Sequence, residues 1–132
     1  MSKIVFHNFL TAPRHVAPFC HAAECDGWIQ LTGQIPTNPH DDAAPLPDGI
    51  EAQTRRVMDN LKIVLDGLGL SLKNVMSCRI YITAFERDYE AMNKAYKSYF
   101  TADRLPARTC VGVTGLARGA LVEIDMVARR PS

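Results

Sequence analysis

The chain has 132 residues, with 15 basic and 14 acidic side chains and a formal charge of +1. This length suits one domain that buries roughly two thirds of the surface of its unfolded form, so we predict a single domain over residues 1–132. The near-zero charge leaves no excess positive field for nucleic acid or anionic lipid. Without the apolar run of a signal peptide or a window long enough to span a membrane, the chain is expected to be soluble and cytoplasmic.

The first half of the chain predicts two strands, a loop and a helix. Residues 3–7 and 28–33 are short β-branched and aromatic runs that end in turn residues, which is typical of strands. Prolines between positions 36 and 47 predict a polar surface loop. Asp48 to Glu51 has the spacing of a capping box, and apolar residues then recur at helical spacing until Gly67 and Gly69. They are Ile50, Val57, Leu61, Val64 and Leu68. We predict an amphipathic helix of about five to six turns.

The second half predicts a strand, a second helix and two further strands. Residues 75–84 alternate between apolar and polar side chains, with Met76, Cys78, Ile80 and Ile82 on one face. Thr83 to Glu86 repeats the capping-box spacing and opens a helical stripe that fades near Thr101. The stripe consists of Tyr89, Met92, Tyr96 and Tyr99. Residues 108–114 and 121–129 are joined by a short loop and are interpreted as adjacent strands.

This order predicts an α+β fold in which two helices cover one face of a mixed, mostly antiparallel sheet. We expect the apolar residues of the last two strands to face the helices; they are Val111, Val113, Val122, Ile124 and Met126. The alternation then predicts that a second set points to the other, open face of the sheet; its members are Tyr81, Arg108, Cys110, Glu123 and Asp125. A face of such mixed aromatic, apolar and charged content suits an interface between subunits, so we expect a closed symmetric oligomer.

Arg108 and Glu123 are the candidate functional pair. They stand on two predicted strands, where a fixed cation and a fixed carboxylate can meet across the sheet. A guanidinium is a planar fork that binds a carboxylate bidentately, so this pair can orient a small acid and a water. The alternative is an exposed ion pair between the two residues with no function.

The cysteines and histidines show no metal-binding spacing. Cys20, Cys25, Cys78 and Cys110 form no Cys-x-x-Cys pair, and the chain contains no His-x-x-x-His or His-Glu-x-x-His motif. We expect four reduced thiols and no metal site.

Several segments together carry a family resemblance. In chain order they are Ala17-Pro18-Phe19, Leu31-Thr32-Gly33-Gln34-Ile35-Pro36, residues 53–61, Asn93 with Tyr96, Pro106-Ala107-Arg108-Thr109-Cys110-Val111, and Val122-Glu123-Ile124. With these segments the chain resembles the RidA family, also called the YjgF family, over nearly its whole length.

The resemblance implies a chorismate-mutase-like fold that assembles as a homotrimer, with the sheets lining a central barrel and active clefts between neighbouring subunits. It implies hydrolysis of reactive enamine and imine carboxylates, of the 2-aminoacrylate and 2-iminopropanoate type, to a keto acid and ammonia without a cofactor. Arg108 would bind the substrate carboxylate and Glu123 would help to hold the attacking water.

The same resemblance points to further substrate-binding residues. Phe19 would form a wall of the pocket, and a turn around Thr32 and Gly33 would present backbone groups and a hydroxyl. Cys110 would pack against substrate on the strand face of Arg108, with no nucleophilic role. Asn93 would cap the pocket from a neighbouring subunit, or else be an ordinary asparagine on a helix surface.

Two positions depart from the commonest family pattern. Many members have tyrosine where this chain has Phe19 and serine where it has Thr32. A branch that resembles RutC, which deaminates 3-aminoacrylate, shares Ala-Pro-Phe and the Ala120 to Ile124 segment, so RutC-like chemistry is an alternative function. A trimer that binds metabolites without turning them over, or acts as a chaperone, is a second alternative. Endoribonuclease activity fits poorly with the low net charge.

Overall fold

A computed structural model describes residues 3–132 and contains a six-stranded sheet with two helices on one face. The elements in chain order are β1 (Val5–His7), β2 (Ala22–Cys25), β3 (Trp28–Gln34), α1 (Ile50–Gly67), β4 (Val75–Ile82), α2 (Phe85–Lys97), β5 (Ala107–Gly112) and β6 (Val122–Arg129). The strand order is β1-β2-β3-β6-β4-β5, and only β4 and β5 are parallel. The predicted α+β fold with a mixed, mostly antiparallel sheet is confirmed.

The core lies between the helices and the sheet. The apolar stripe of α1 is buried, as its helical spacing predicts, and it packs against the buried face of β3, β4 and β6. In β6 the alternate residues Val122, Ile124, Met126 and Ala128 are all 0% exposed. This strand is the most completely apolar on its inner face, and it occupies the middle of the sheet.

The strand pairing differs from the prediction at two points. Strand β2 was not predicted, because Ala22-Ala23-Glu24-Cys25 contains no β-branched or aromatic residue. The strands β5 and β6 are not adjacent: β5 pairs with β4, and β6 lies between β3 and β4. A parallel neighbour requires a crossover connection, and α2 provides it between β4 and β5. The short loop after β5 therefore leads across β4 rather than into a hairpin.

Neither helix begins with the predicted capping box. The N-cap residues are Gly49 and Ala84, and neither helix has a side-chain cap hydrogen bond. Asp48 and Thr83 each stand one residue too early to reach the first amide groups. Gly49 has φ 84°, a conformation that glycine adopts without steric strain. The capping box that does form joins Ser71 and Asn74, in a short 3-10 turn before β4.

Two further elements need smaller corrections. A bulge interrupts the pairing of β4 and β6 between Val75 and Ser77, so Met76 is 45% exposed instead of buried, while the rest of its predicted face is buried. Helix α2 ends at Lys97 rather than near Thr101. Within residues 3–132 the four cysteines are free thiols. No helix in this part of the chain is long and apolar enough to cross a membrane.

Candidate active site

Arg108 and Glu123 lie on opposite faces of the sheet in one chain. Arg108 is paired with Cys78, whose side chain is buried under the helices. Glu123 is paired with Tyr81, one position out of phase, and so points to the other face. Strand β4 also separates their strands. The prediction that both residues point away from the helices is therefore wrong for Arg108, and the two do not form an ion pair with each other.

The reversal affects the whole of β5. Cys110 is paired with the buried Ile80 and lies on the same face as Arg108, as predicted, but this face is the helix side. Val111 takes the opposite side and is 42% exposed. An edge strand has a partner strand on one side only, so its residues are less completely covered than those of a central strand. The apolar character of Val111 therefore did not indicate which face of β5 is buried. Tyr81, Glu123 and Asp125 lie on the predicted open face.

Glu123 lies in a cavity of about 240 Å³ on its face of the sheet. Phe19, Thr32 and Gly33 line the same cavity, so the structure brings together four of the predicted site residues. A Cβ atom at Gly33 would clash with the Glu123 carboxylate. Only glycine therefore allows the carboxylate to rest against the backbone of β3.

Burial raises the pKa of the Glu123 carboxyl, and the nearby Asp125 carboxylate raises it further. Asp125 is itself compensated, because Arg79 Nε lies 2.9 Å from its Oδ1 and the Tyr81 hydroxyl donates to its Oδ2 at 3.2 Å. Glu123 has no ion pair or hydrogen-bond partner among the described residues. It is a half-buried carboxylate that is available to a water or a ligand.

Thr32 and Gly33 lie in an irregular part of β3 rather than in a turn. The pairing with β6 shifts register between Leu31 and Gln34. The Thr32 hydroxyl donates to the carbonyl of Cys20 at 2.6 Å, and its amide donates to the carbonyl of His21. The hydroxyl proton of Thr32 is therefore already engaged, and this oxygen can offer a ligand only its lone pairs.

His21 holds the segment that carries Phe19. Its Nδ1 accepts a hydrogen bond from the amide of Phe9 at 3.0 Å, and its Nε2 lies 2.8 Å from the carbonyl of Pro13. Burial lowers the pKa of His21, which keeps the imidazole neutral and suits this one-donor, one-acceptor arrangement. The same segment places Arg14 at the cavity, 4.0 Å from Asp42. Arg14 was not predicted as a site residue, although it stands shortly before the Ala17-Pro18-Phe19 motif.

Arg108 is held on the helix side by two tyrosines of α2. Its Cζ lies 5.2 Å from the ring centroid of Tyr96 and 5.9 Å from that of Tyr89, and its Nη2 donates to the Tyr89 hydroxyl at 3.2 Å. Such cation–π contacts orient a guanidinium without neutralising it. Arg108 makes no ion pair with any residue from 3 to 132. The two tyrosines therefore fix the orientation of the guanidinium plane, and its positive charge remains available to bind an anion.

Cys110 and Asn93 lie on the Arg108 side. Burial raises the pKa of Cys110, so the thiol stays protonated at neutral pH and is a weak nucleophile. Asn93 is half-buried on α2, and its Oδ1 is buried without a hydrogen-bond partner among the described residues. A buried acceptor without a donor carries a free-energy penalty, which a ligand or a second subunit can remove.

Two other cavities of the described chain have larger volumes. One, of about 330 Å³, is lined by the end of α1 and the segment after α2, including Leu65 and Tyr99. The other, of about 350 Å³, is lined by residues of β2, β3 and β6, including Trp28. None of the predicted site residues lines either cavity. Within residues 3–132 there is no group of three or more His, Cys, Asp or Glu side chains arranged to hold a metal ion. The chemistry-bearing residues point to the 240 Å³ cavity as the candidate site.

Known proteins are similar to this chain in fold and in sequence. The family described as Endoribonuclease L-PSP matches residues 9–130. A RutC family protein of Pyrococcus horikoshii is 32% identical over 97% of this chain and 98% of its own. The 2-iminobutanoate/2-iminopropanoate deaminase of Escherichia coli is 29% identical over 98% of this chain and 99% of its own. The crystal structure of Escherichia coli TdcF with bound serine is 25% identical, covers 96% of this chain and 99% of its own, and has a TM-score of 0.86.

The sheet, its two covering helices and the matching solved structures define an α+β protein of the chorismate-mutase-like type. The chain belongs to the Endoribonuclease L-PSP family, which is the RidA, YjgF or RutC family of the sequence resemblance.

Proposed function

We propose that the protein is a hydrolytic deaminase of reactive enamine and imine carboxylates, with each active site built by two subunits of a homotrimer. The observation that carries this proposal is that Arg108 and Glu123 lie on opposite faces of one sheet, each without an ion pair. One chain cannot bring them together. Arg108, Cys110 and Asn93 of one subunit would close over the cavity that Glu123 and Phe19 line in its neighbour.

The surface of the described chain supports such an assembly. Strand β5 carries Arg108 and is an edge of the sheet, with β4 as its only partner strand here. On the open face, Phe6 is 65% exposed, Trp28 50% and Val111 42%. These side chains stand on β1, β3 and β5, so exposed apolar groups extend from one edge of this face to the other, which suits an interface between subunits. The homotrimer is the assembly that the family resemblance implies.

The proposed reaction needs only positioning and a base. Arg108 binds the carboxylate of an imine, whose C=N carbon is already electrophilic once the nitrogen is protonated. Glu123 accepts a proton from a water as the water oxygen bonds to that carbon, which gives a carbinolamine. The protonated Glu123 then gives its proton to the amine nitrogen. The C–N bond breaks with its electron pair going to nitrogen, while the hydroxyl oxygen forms the C=O bond and gives its proton back to the Glu123 carboxylate, so that ammonia and the keto acid leave. Orientation of water and carbon supplies much of the acceleration. The protonated thiol of Cys110 contributes an apolar contact.

The direct test is an assay of imine hydrolysis. A dehydratase generates 2-aminoacrylate from serine, and stopped-flow absorbance follows its decay to pyruvate. We expect the purified protein to accelerate the decay and the Glu123→Gln variant to do so at least tenfold more weakly. A second arm with 3-aminoacrylate distinguishes RutC-like chemistry. If neither substrate decays faster while pyruvate still binds, the protein is a metabolite-binding trimer instead.

We predict that the acid limb of the pH profile of kcat/KM lies at a higher pH than an ordinary glutamate would give. The base is the carboxylate form of Glu123, and its raised pKa means that this form appears only at a pH above the usual range of glutamate. Activity therefore rises with pH through that higher pKa. Asp125→Asn removes one of the two causes of the raised pKa of Glu123 and should move the midpoint of the acid limb to lower pH. Asp59→Asn, on the helix side, serves as a control and should leave it unchanged. An acid limb that keeps its position and height when Glu123 is replaced by glutamine would exclude Glu123 as the base.

A further inference from the structure

We propose that Tyr89 is a substrate-binding residue, whose hydroxyl donates a hydrogen bond to the substrate carboxylate that Arg108 holds. This inference rests on the proposed function, because it places Tyr89 in the cleft between two subunits. It adds a second residue to a site in which the sequence and the resemblance named only Arg108 as a ligand of the carboxylate.

The hydrogen bonding of Tyr89 leaves its proton free. The Tyr89 hydroxyl accepts from Arg108 Nη2 at 3.2 Å, and its own O–H has no acceptor among the described residues. A phenol has one O–H donor, and it lies beside the guanidinium that receives the anion. A carboxylate bound by the Arg108 fork therefore lies within reach of the Tyr89 hydroxyl.

The other three tyrosines are not available for this role. The Tyr81 hydroxyl donates to Asp125, and the Tyr99 hydroxyl donates to Asp59 at 2.8 Å. Tyr96 is 4% exposed, and its hydroxyl is buried beside the Cys78 thiol, behind the Arg108 side chain that packs on its ring. Tyr89 is half-buried and can meet a ligand.

The predicted residues of the opposite wall offer no free side-chain hydroxyl. Phe19 has no hydroxyl, and the Thr32 hydroxyl already donates to the carbonyl of Cys20. Tyr89, in contrast, has an O–H that the described residues leave unused. The phenol that is missing at Phe19 is thus offered from the Arg108 side.

The ring of Tyr89 is held in place before substrate arrives. It stacks on the ring of Phe85, with ring centroids 4.7 Å apart and an interplanar angle of 21°. The Arg108 guanidinium, which donates to the Tyr89 hydroxyl, is itself held over the ring of Tyr96. Tyr89 and Tyr96 stand two helical turns apart and so share a face of α2. A donor fixed in this way loses little conformational freedom when it binds a ligand.

The experiment compares pyruvate with its neutral amide, pyruvamide, as probes of the wild-type protein and of Tyr89→Phe. We expect Tyr89→Phe to weaken pyruvate binding about tenfold and to raise KM for 2-aminoacrylate by a similar factor, because a hydrogen bond to a charged group is lost. Pyruvamide binding should change less than twofold. Tyr99→Phe is the matched control, since it removes a phenol away from the cleft, and it should alter neither ligand.

The outcomes separate this inference from the proposed function. Equal pyruvate affinity in wild type and Tyr89→Phe, or equal weakening of both ligands, overturns the role of Tyr89 whether or not the protein is a deaminase. A selective loss of pyruvate binding supports it even if wild type hydrolyses no imine, in which case only the proposed function fails. A melting temperature and oligomeric state equal to those of wild type show that Tyr89→Phe is folded.

Discussion

Replacing Arg108 by alanine is expected to lower kcat/KM for 2-aminoacrylate by about 10²- to 10³-fold. The guanidinium is the one cation on the helix side of β5, it has no ion-pair partner in residues 3–132, and two tyrosine rings fix its plane. Removing it would leave the substrate carboxylate desolvated and unpaired, a loss of about 2–5 kcal/mol. Stopped-flow decay of 2-aminoacrylate at several concentrations separates the effects on KM and kcat.

Two further variants make the Arg108 experiment specific. Arg108→Lys keeps the charge but lacks the planar fork and stacks poorly, so we expect it to recover only part of the loss. Arg55→Ala removes an arginine from the outer surface of α1, where it pairs with Glu51 at 3.4 Å, and should leave kcat/KM unchanged. Wild-type activity in Arg108→Ala, with an unchanged oligomer, would show that another group binds the carboxylate.

Much of the fold was predictable because buried apolar residues recur in the sequence at the period of the helix or strand that contains them. Helix α1 and strand β4 have one apolar face each, and their spacing gives the element type and the side that faces the core. Strand β2 was not, because four residues without a branched or aromatic side chain carry no strand signal.

The face of β5 was not predictable from the strand itself. Thr109, Cys110 and Val111 differ little in polarity, and an edge strand has too few neighbours to impose a clear alternation. The informative signal lies on another element. Tyr89 and Tyr96 share a face of α2, and a stripe of aromatic rings is the surface on which a guanidinium packs.

The candidate site was predictable residue by residue but not in its geometry. The sequence suggested that Arg108 and Glu123 meet across neighbouring strands, and the structure separates them by β4 and by the sheet itself. Only the family resemblance implied a cleft between subunits. A cleft formed by residues of two subunits leaves no periodic pattern in the sequence of one chain. Its existence must therefore be tested by mixing chains.

Mixing two inactive variants is expected to restore activity. In the proposed assembly each cleft takes Arg108 from one subunit and Glu123 from its neighbour. An Arg108→Ala subunit still contributes Glu123, and a Glu123→Gln subunit still contributes Arg108. In a trimer that contains both chains, whichever is in excess, one of the three clefts takes Arg108 from a Glu123→Gln subunit and Glu123 from an Arg108→Ala subunit. We expect mixed trimers to show about a third of wild-type kcat, against nearly none for either variant alone.

The two chains are co-expressed with different affinity tags and purified through both, so that only mixed oligomers are assayed. The matched control mixes Arg108→Ala with a chain that carries both substitutions, which can form no intact cleft and should stay inactive. Doubly purified oligomers without restored activity would mean that the two residues never meet across a subunit boundary. Because Arg108 and Glu123 point to opposite sides of one sheet, such a result would also remove one of them from the reaction. Restoration, in contrast, requires the boundary between two chains to be the place where the substrate binds.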